Sequence, residues 1–377
     1  MSFSEIKKNF GFGCMRLPMK DGEVDYDKFN EMIDYYIDAG FNYFDTAHGY
    51  IDGKSEKAIR DCLAARYPRD KFILANKLSD WFVKTEEEVV PFFESQLELC
   101  GVEYFDFYLF HSINAKNYER HKSLNSFEII KELKTQGKIK HIAMSFHDRA
   151  EVLDKILTEQ PFIEAVQLQI NYLDYDDPAV QSKACYDVAA KHSKQVIVME
   201  PVKGGTLVNL PKEAQVLFDG LKGGSYASYA LRYSASFENV FMTLSGMGSM
   251  EMMQDNVNTF ADFVPLNENE LAATDKARAL IRKANLIPCT SCNYCADVCP
   301  KNIPISKIFG RFNEFSSAKI TKGEFIKSLP AEGGKVSDCI KCGKCENVCP
   351  QNIKIREKLE KIVHTIEKLL IFKRLLY

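Results

Sequence analysis

The sequence predicts an α/β protein: a (β/α)8 barrel followed by a small, mainly α-helical domain. Three observations carry this reading. Strand-like and helix-like segments alternate over residues 1–284, the strand-like runs number eight, and eight of the twelve cysteines crowd into two tight groups beyond them. An open doubly wound sheet suits the alternation equally well, but no Gly-x-Gly-x-x-Gly stands between a strand and a helix.

The candidate strands are Phe10–Cys14, Phe41–Phe44, Phe72–Asn76, Phe105–Phe110, Ile139–Met144, Ala165–Ile170, Gln195–Met199 and Val240–Leu244. Amphipathic stretches lie between them. Asp27–Ala39 sets Phe29, Met32, Ile33, Tyr36 and Ile37 on one face, and Glu86–Leu99 is another such stretch. Asn269–Lys283 reads as a helix leaving the barrel, and Pro288 then interrupts the chain. This places the boundary near Ala284, with domains 1–284 and 285–377. In the second domain, Ser306–Phe315 and Lys322–Ser328 read as helices. Lys354–Tyr377 reads as a basic amphipathic helix with Ile355, Leu359, Ile362, Val363, Ile366 and Leu370 at helical spacing. That helix is expected to pack on the barrel or to build a homodimer. A membrane-surface role is the lesser alternative, because the same pattern serves any core-facing helix.

Composition excludes several classes. No run of about 18 apolar residues is present to cross a membrane, and the N-terminus lacks the apolar core of a signal peptide. Reduced, metal-loaded cysteines fit a cytoplasmic location. The net charge of −3 hides an asymmetry: residues 285–377 hold 16 Lys and Arg against 9 Asp and Glu, whereas the preceding part holds 33 against 43. A basic end can serve nucleic acid. Clusters held by thiolates, which add negative charge, are the more economical cause, so no nucleic-acid partner is expected.

The barrel chemistry is expected at strand ends. The run Phe41–Phe44 leads into Asp45-Thr46-Ala47-His48-Gly49-Tyr50, Lys77 follows Phe72–Ala75, and His111 follows Tyr104–Phe110. Alone, each has an ordinary reading: a solvated Asp, a packed Tyr, a surface Lys, a satisfied His. Together, Asp45, Tyr50, Lys77 and His111 resemble the pattern of the aldo/keto reductases, an Asp-Thr-Ala-x-x-Tyr turn followed by a strand-end Lys and a strand-end His. The resemblance implies that Tyr50 protonates the developing alkoxide of a carbonyl substrate. Lys77 would bring the phenol below its usual pKa of about 10, Asp45 would hold Lys77, and His111 would orient the carbonyl. His48 and His147 either line the mouth or only pack.

The same resemblance implies a nicotinamide site. Ser145 and Gln167 would meet the carboxamide, Pro201, Val202 and Gly204 the phosphates, and Gly246, Asp255 and Asn256 the adenosine. This chain departs from the pattern at Phe146 (usually Asn) and Met199 (usually Tyr). It departs again at Gly246 and Met252, where many members carry the cations for a 2′-phosphate. The expectation is NAD(H) or NADP(H) without strong preference for NADPH, and weak binding.

Cys289-x2-Cys292-x2-Cys295-x3-Cys299-Pro300 recurs as Cys339-x2-Cys342-x2-Cys345-x3-Cys349-Pro350. Zinc also binds Cys-x2-Cys pairs, but this spacing resembles the bacterial ferredoxin run, in which the fourth Cys serves the other cluster. The resemblance implies two [4Fe–4S] clusters, one on Cys289, Cys292, Cys295 and Cys349, the other on Cys339, Cys342, Cys345 and Cys299. Cys14 ends the first strand at the mouth, while Cys62, Cys100 and Cys185 read as core or surface thiols.

Barrel and cysteine domain together resemble the branch of aldo/keto reductases with an appended ferredoxin-type domain. The expected activity is interconversion of a small-molecule carbonyl and its alcohol, with the clusters exchanging electrons with a ferredoxin- or flavodoxin-like partner. Two other readings stand beside it: an NAD(P)H-dependent reductase with structural or redox-sensing clusters, and a non-catalytic, redox-responsive binding subunit. Clusters pass single electrons and nicotinamide passes hydride. A flavin would bridge them, yet the sequence shows no flavin motif. The loops Ser79–Lys84 and Ser112–Asn125 and the segment after Gly205 carry no charge pattern for a substrate class, though Trp81 and Phe82 suggest an apolar wall.

Overall fold

The computed structural model of the protein describes residues 3–317 and 319–374, with side chains as far as Leu369. In the predicted final helix, the side chain of Leu370 and residue Tyr377 lie outside what is described. The described chain falls into two compact units. One comprises residues up to 202 together with 223–271, and the other comprises 203–222 together with 272 onward.

In the first unit eight parallel strands close a barrel in chain order. They are β1 Phe10–Gly13, β2 Tyr43–Asp45, β3 Ile73–Leu78, β4 Phe105–Ile113, β5 Ile139–Phe146, β6 Ala165–Gln169, β7 Gln195–Met199 and β8 Val240–Gly246. β1 closes the ring by pairing Gly11 with both Leu244 of β8 and Tyr43 of β2. A side chain at Gly11 would collide with Leu244, Met242 and Tyr43, so the taper of the barrel requires glycine there. Inward side chains such as Tyr43, Phe107, Leu109, Ile197 and Met242 fill the interior as one packed core. Phe3 joins that core, its ring 5.0 Å from Phe107 and 4.6 Å from Phe241.

A second apolar layer lies between strands and helices. Helix Tyr26–Asp38 begins because Asp25 accepts a hydrogen bond from the Lys28 amide, and it buries Phe29, Met32, Ile33 and Tyr36. The Tyr36 hydroxyl reaches the carbonyls of Phe10 and Tyr43 at 2.7 and 2.9 Å, which ties the helix to β1 and β2. Between β1 and this helix a two-residue ladder, Met19–Lys20 with Glu23–Val24, turns at Asp21-Gly22.

The second unit repeats itself at an offset of 50 residues. Short helices Tyr294–Asp297 and Lys344–Asn347 correspond, and each cysteine loop is followed by a longer helix, Ile305–Ser316 or Ile355–Arg374. Left-handed backbone recurs at Ser291 and Lys341, Asn293 and Gly343, and Asn302 and Asn352. Helix Lys322–Ser328, which begins with a capping box on Thr321 and Glu324, lies between the repeats in the chain. Ile303, Ile305, Phe309, Phe312, Phe325, Ile353, Leu359 and Ile362 form this unit's own core. Among the described residues no helix is long and apolar enough to cross a membrane.

Candidate functional site

The strands are parallel, so their C-terminal ends gather at one end of the barrel. Asp45 ends β2, Lys77 is next to last in β3, His111 and Ser145 stand near the ends of β4 and β5, and Gln167 is at the centre of the short β6. Lys77 is 1% exposed, and its Nζ donates to Asp45 Oδ1 at 2.6 Å and to the Thr46 carbonyl at 2.8 Å. The same Nζ lies 5.0 Å from the centre of the Tyr50 ring, and the His111 ring centre is 6.1 Å from that of Tyr50. Tyr50 sits on the turn after β2, where its amide donates to the Ala47 carbonyl. The structure therefore brings the four expected residues together.

Their electrostatics follow from burial. Loss of solvent pushes Asp45 up from the usual carboxylate range, against the opposing pull of Lys77 and Gln167. Burial and then Lys77 push His111 well below the usual histidine value, so the ring is neutral. The His111 Nδ1 and the Ser79 hydroxyl share a hydrogen bond of 2.6 Å, and the Trp81 ring lies 4.9 Å away at a tilt. Burial, then the Asp45 charge, raise the Tyr50 phenol well above its ordinary value. The cation that opposes this rise is Arg16. Lys77 instead spends its charge on Asp45. Arg16 and Ser79 were not singled out from the sequence, although both closely follow a strand end, where such residues are to be sought.

Cys14 is fully buried, and burial followed by the Asp45 charge pushes its thiol far up. His48 packs: its Nδ1 lies 2.8 Å from Glu56, and its ring meets Phe82 and Phe92 edge-on. Glu56 is wholly buried and also accepts from Asn76 and Gln96.

The expected dinucleotide contacts are largely engaged within the protein. Ser145 Oγ accepts from the Ser112 amide at 2.7 Å. Asp255 accepts from the hydroxyl of Ser225, the residue that caps helix Tyr226–Ala235, and Asn256 donates to Ser245 Oγ at 3.1 Å. Gln167 is buried beside Asp45. Pro201 is buried and Val202 half-buried after β7. Gly246 faces Arg16, whose Cβ lies 3.3 Å from where a Cβ on the glycine would stand. Gly204 belongs to the second unit, where a Cβ would fall 2.6 Å from Thr290 Cα.

In the second unit two pockets, both partly open to solvent, are ringed by cysteines. One is lined by Cys289, Cys292, Cys295 and Cys349 with Ile305, Phe309 and Ile353. The other is lined by Cys339, Cys342, Cys345 and Cys299 with Ile303, Ile305 and Leu359. Four thiols around an apolar cavity form a donor set suited to an iron–sulfur cluster, whereas a single zinc ion requires four donors about 2.3 Å from one point.

The profile of the aldo/keto reductase family matches residues 9–279, and that of a 4Fe-4S dicluster domain matches residues 288–353. The uncharacterized oxidoreductase YqkF of Bacillus subtilis is 22% identical, with the match covering 70% of this chain and 90% of that protein. L-galactose dehydrogenase of Arabidopsis thaliana is 23% identical, over 69% of this chain and 86% of its own. Among solved structures, the holo aldo-keto reductase AKR11C1 from Bacillus halodurans superposes with a TM-score of 0.59 at 23% identity, covering 72% of this chain and 92% of that one. The aldo/keto reductase from Klebsiella pneumoniae in complex with NADP and acetate gives 0.58 at 19% identity, covering 71% and 90%. With its closed barrel and its paired cysteine loops, this chain belongs to the aldo/keto reductase family as an oxidoreductase that also carries a 4Fe-4S dicluster domain.

Proposed function

We propose that the protein interconverts a small carbonyl compound and its alcohol in the mouth of the barrel, and that its C-terminal unit holds two [4Fe–4S] clusters. One observation carries the catalytic part: the buried Lys77 ammonium, fixed by Asp45 and Thr46 beneath the Tyr50 ring. Reduction of a carbonyl takes two electrons and two protons: a separate reductant supplies the electrons and the hydrogen that ends on carbon, and the protein supplies the proton that ends on oxygen. Tyr50 Oη, held in its protonated form by burial, supplies a proton to the developing alkoxide and recovers it in the reverse direction. Neutral His111, fixed by Ser79, donates a hydrogen bond to the carbonyl oxygen and orients it. Trp81 gives the apolar substrate wall.

Cys289, Cys292, Cys295 and Cys349 would hold one cluster, and Cys339, Cys342, Cys345 and Cys299 the other. Each bound cluster supplies the capacity to store and pass one electron. The surplus of Lys and Arg over residues 285–377 offsets the negative charge that such thiolate-bound groups bring.

The residues expected to hold a dinucleotide do not fit it well. Ser145, Asp255 and Asn256 already have protein partners, Gly204 is packed against Thr290, and no cation stands at 246 or 252. A second reading, an NAD(P)H-dependent reductase, draws support from the Klebsiella pneumoniae relative, whose structure contains NADP.

Anaerobic titration of the iron-loaded protein separates the two. The clusters should bleach with dithionite or a reduced ferredoxin and not with NADH or NADPH. Bleaching by either nucleotide would mean that hydride equivalents reach the clusters through a two-electron relay, whereas reduced clusters that fail to reoxidise when substrate is added without nicotinamide would favour the second reading.

A further inference from the structure

The two cysteine repeats are built alike but covered differently. In the first repeat Thr290 is 1% exposed, and the chain's own residues 203 and 204 lie on this side. Gly204 approaches so closely that a Cβ would fall 2.6 Å from Thr290 Cα, and Lys203 donates to Gln351, another residue lining that cysteine cavity. Lys203 is buried, and Gln351 is only 8% exposed.

Fifty residues on, the corresponding positions are bare. Ile340 takes the place of Thr290 and is 58% exposed. Lys301, the counterpart of Gln351, is exposed while lining the second cavity. Cys342 is exposed, whereas its counterpart Cys292 is half-buried.

Charge differs in the same direction. The loop Cys289-Thr290-Ser291-Cys292-Asn293-Tyr294-Cys295 carries no charge, whereas Cys339-Ile340-Lys341-Cys342-Gly343-Lys344-Cys345 carries two lysines and no acid. Two of the nearby carboxylates are matched by cations, one of them by Lys341 itself. Glu346 is held by Arg356, Glu360 meets Lys341 at 3.1 Å, and Asp338 is turned onto the Lys335 amide. An uncovered apolar residue within a rim of exposed lysines is the anatomy of a transient docking surface.

Resting on the reading that both cavities hold clusters, we propose that the face formed by Ile340, Lys341, Lys344 and Lys301 is the docking surface for an acidic one-electron carrier protein. Electrons enter or leave the protein there, through the cluster on Cys339, Cys342, Cys345 and Cys299. The exchange is balanced by one electron given up by the reduced carrier and one taken by the cluster, with no bond made or broken. The lysines draw the acidic carrier in, and Ile340 gives the contact a dry centre.

The experiment uses the full-length, iron-loaded protein and a plant-type [2Fe–2S] ferredoxin as the acidic donor. Stopped-flow absorbance follows cluster reduction under anaerobic conditions across a range of salt. The expected result is a second-order rate that falls with salt, and that falls roughly tenfold in Lys341→Glu/Lys344→Glu with most of the salt dependence gone. Ile340→Ser should slow the reaction while leaving the salt slope intact. Lys155→Glu/Lys183→Glu, the same charge change on exposed barrel helices, should have little effect. An unchanged rate in Lys341→Glu/Lys344→Glu, or an equal loss in the barrel control, overturns the docking surface. Iron and sulfide content together with the dithionite-reduced EPR spectrum test cluster assembly separately. Failure there removes the underlying reading, whereas intact clusters with an unaltered rate remove only the proposed surface.

Discussion

Lys77 and Asp45 form a buried ion pair, Nζ to Oδ1 at 2.6 Å, with both side chains almost wholly removed from water. Removing one partner leaves the other charge buried and uncompensated, which costs about 3–5 kcal/mol. Lys77→Met and Asp45→Asn should each lose stability on this scale in denaturant unfolding. The double variant should recover part of the stability but none of the carbonyl-reducing activity. Full additivity of the two stability losses would show that the pair is not coupled.

The pH profile tests the proton assignments. His111 is pushed well below its ordinary value of about 6.5, so it remains neutral as pH falls from 8 to about 6. Its ring resonances should not titrate in that range. Tyr50 is raised, so carbonyl reduction should hold its rate through the range, about pH 10, in which an ordinary phenol ionises. Tyr50→Phe should lower kcat by about 10²–10⁴ and erase any alkaline limb.

Gly204→Ala should disturb the cluster unit more than the barrel. The residue has φ +58, and the new methyl would stand 2.6 Å from Thr290 Cα, a backbone atom that cannot swing aside. The expected result is reduced iron retention with unchanged far-ultraviolet dichroism from the barrel. Normal iron content would mean that the loop shifts freely.

Acid stability should depend on Glu164. Burial raises this carboxyl, but hydrogen bonds from His141, Lys134 and the Ile142 amide outweigh it and bring it to about 2, against an ordinary 4.5. Its folded value lies below its unfolded one, so its contribution is complete above about pH 4.5 and fades as pH falls toward 2. Glu164→Gln should cost roughly 2 kcal/mol near neutral pH and show a shallower decline in acid. An acid limb identical to that of the parent would assign the pH dependence elsewhere.

Met252 is 55% exposed at the position where many members of the family carry a cation. Met252→Arg should strengthen NADPH binding at least several-fold over NADH, as read by fluorescence quenching, if the segment lies at an adenosine 2′-phosphate. Equal binding of the two nucleotides would disconnect residues 246–256 from that role.

The barrel was legible because each strand is a compact apolar run, and all eight expected strands are present. Their ends were less so. β2 starts at Tyr43 rather than Phe41, and β4 runs on to Ile113 through an irregular register near Ser112, whose backbone is left-handed. The Met19–Val24 ladder was missed because two-residue strands carry no period, although Asp21-Gly22 is a turn signal. The four expected active-site residues were visible as strand-end chemistry. Arg16 and Ser79 were not, because nothing local records that the strand ends converge. The grouping of residues 203–222 with the cysteine repeats was equally hidden, since it joins segments far apart in the chain.

The protein does not divide cleanly at residue 284. Residues 203–222 carry Leu207, Leu210, Ala214 and Phe218, all buried, and Lys319 caps the Asn209 carbonyl from beyond the barrel's last strand. A chain ended at residue 284 would strip this segment of its contacts with Thr290, Lys319 and Gln351. The cysteine repeats are therefore not a tail added to a finished enzyme. A chain that lacks them also lacks the partners of the segment after β7.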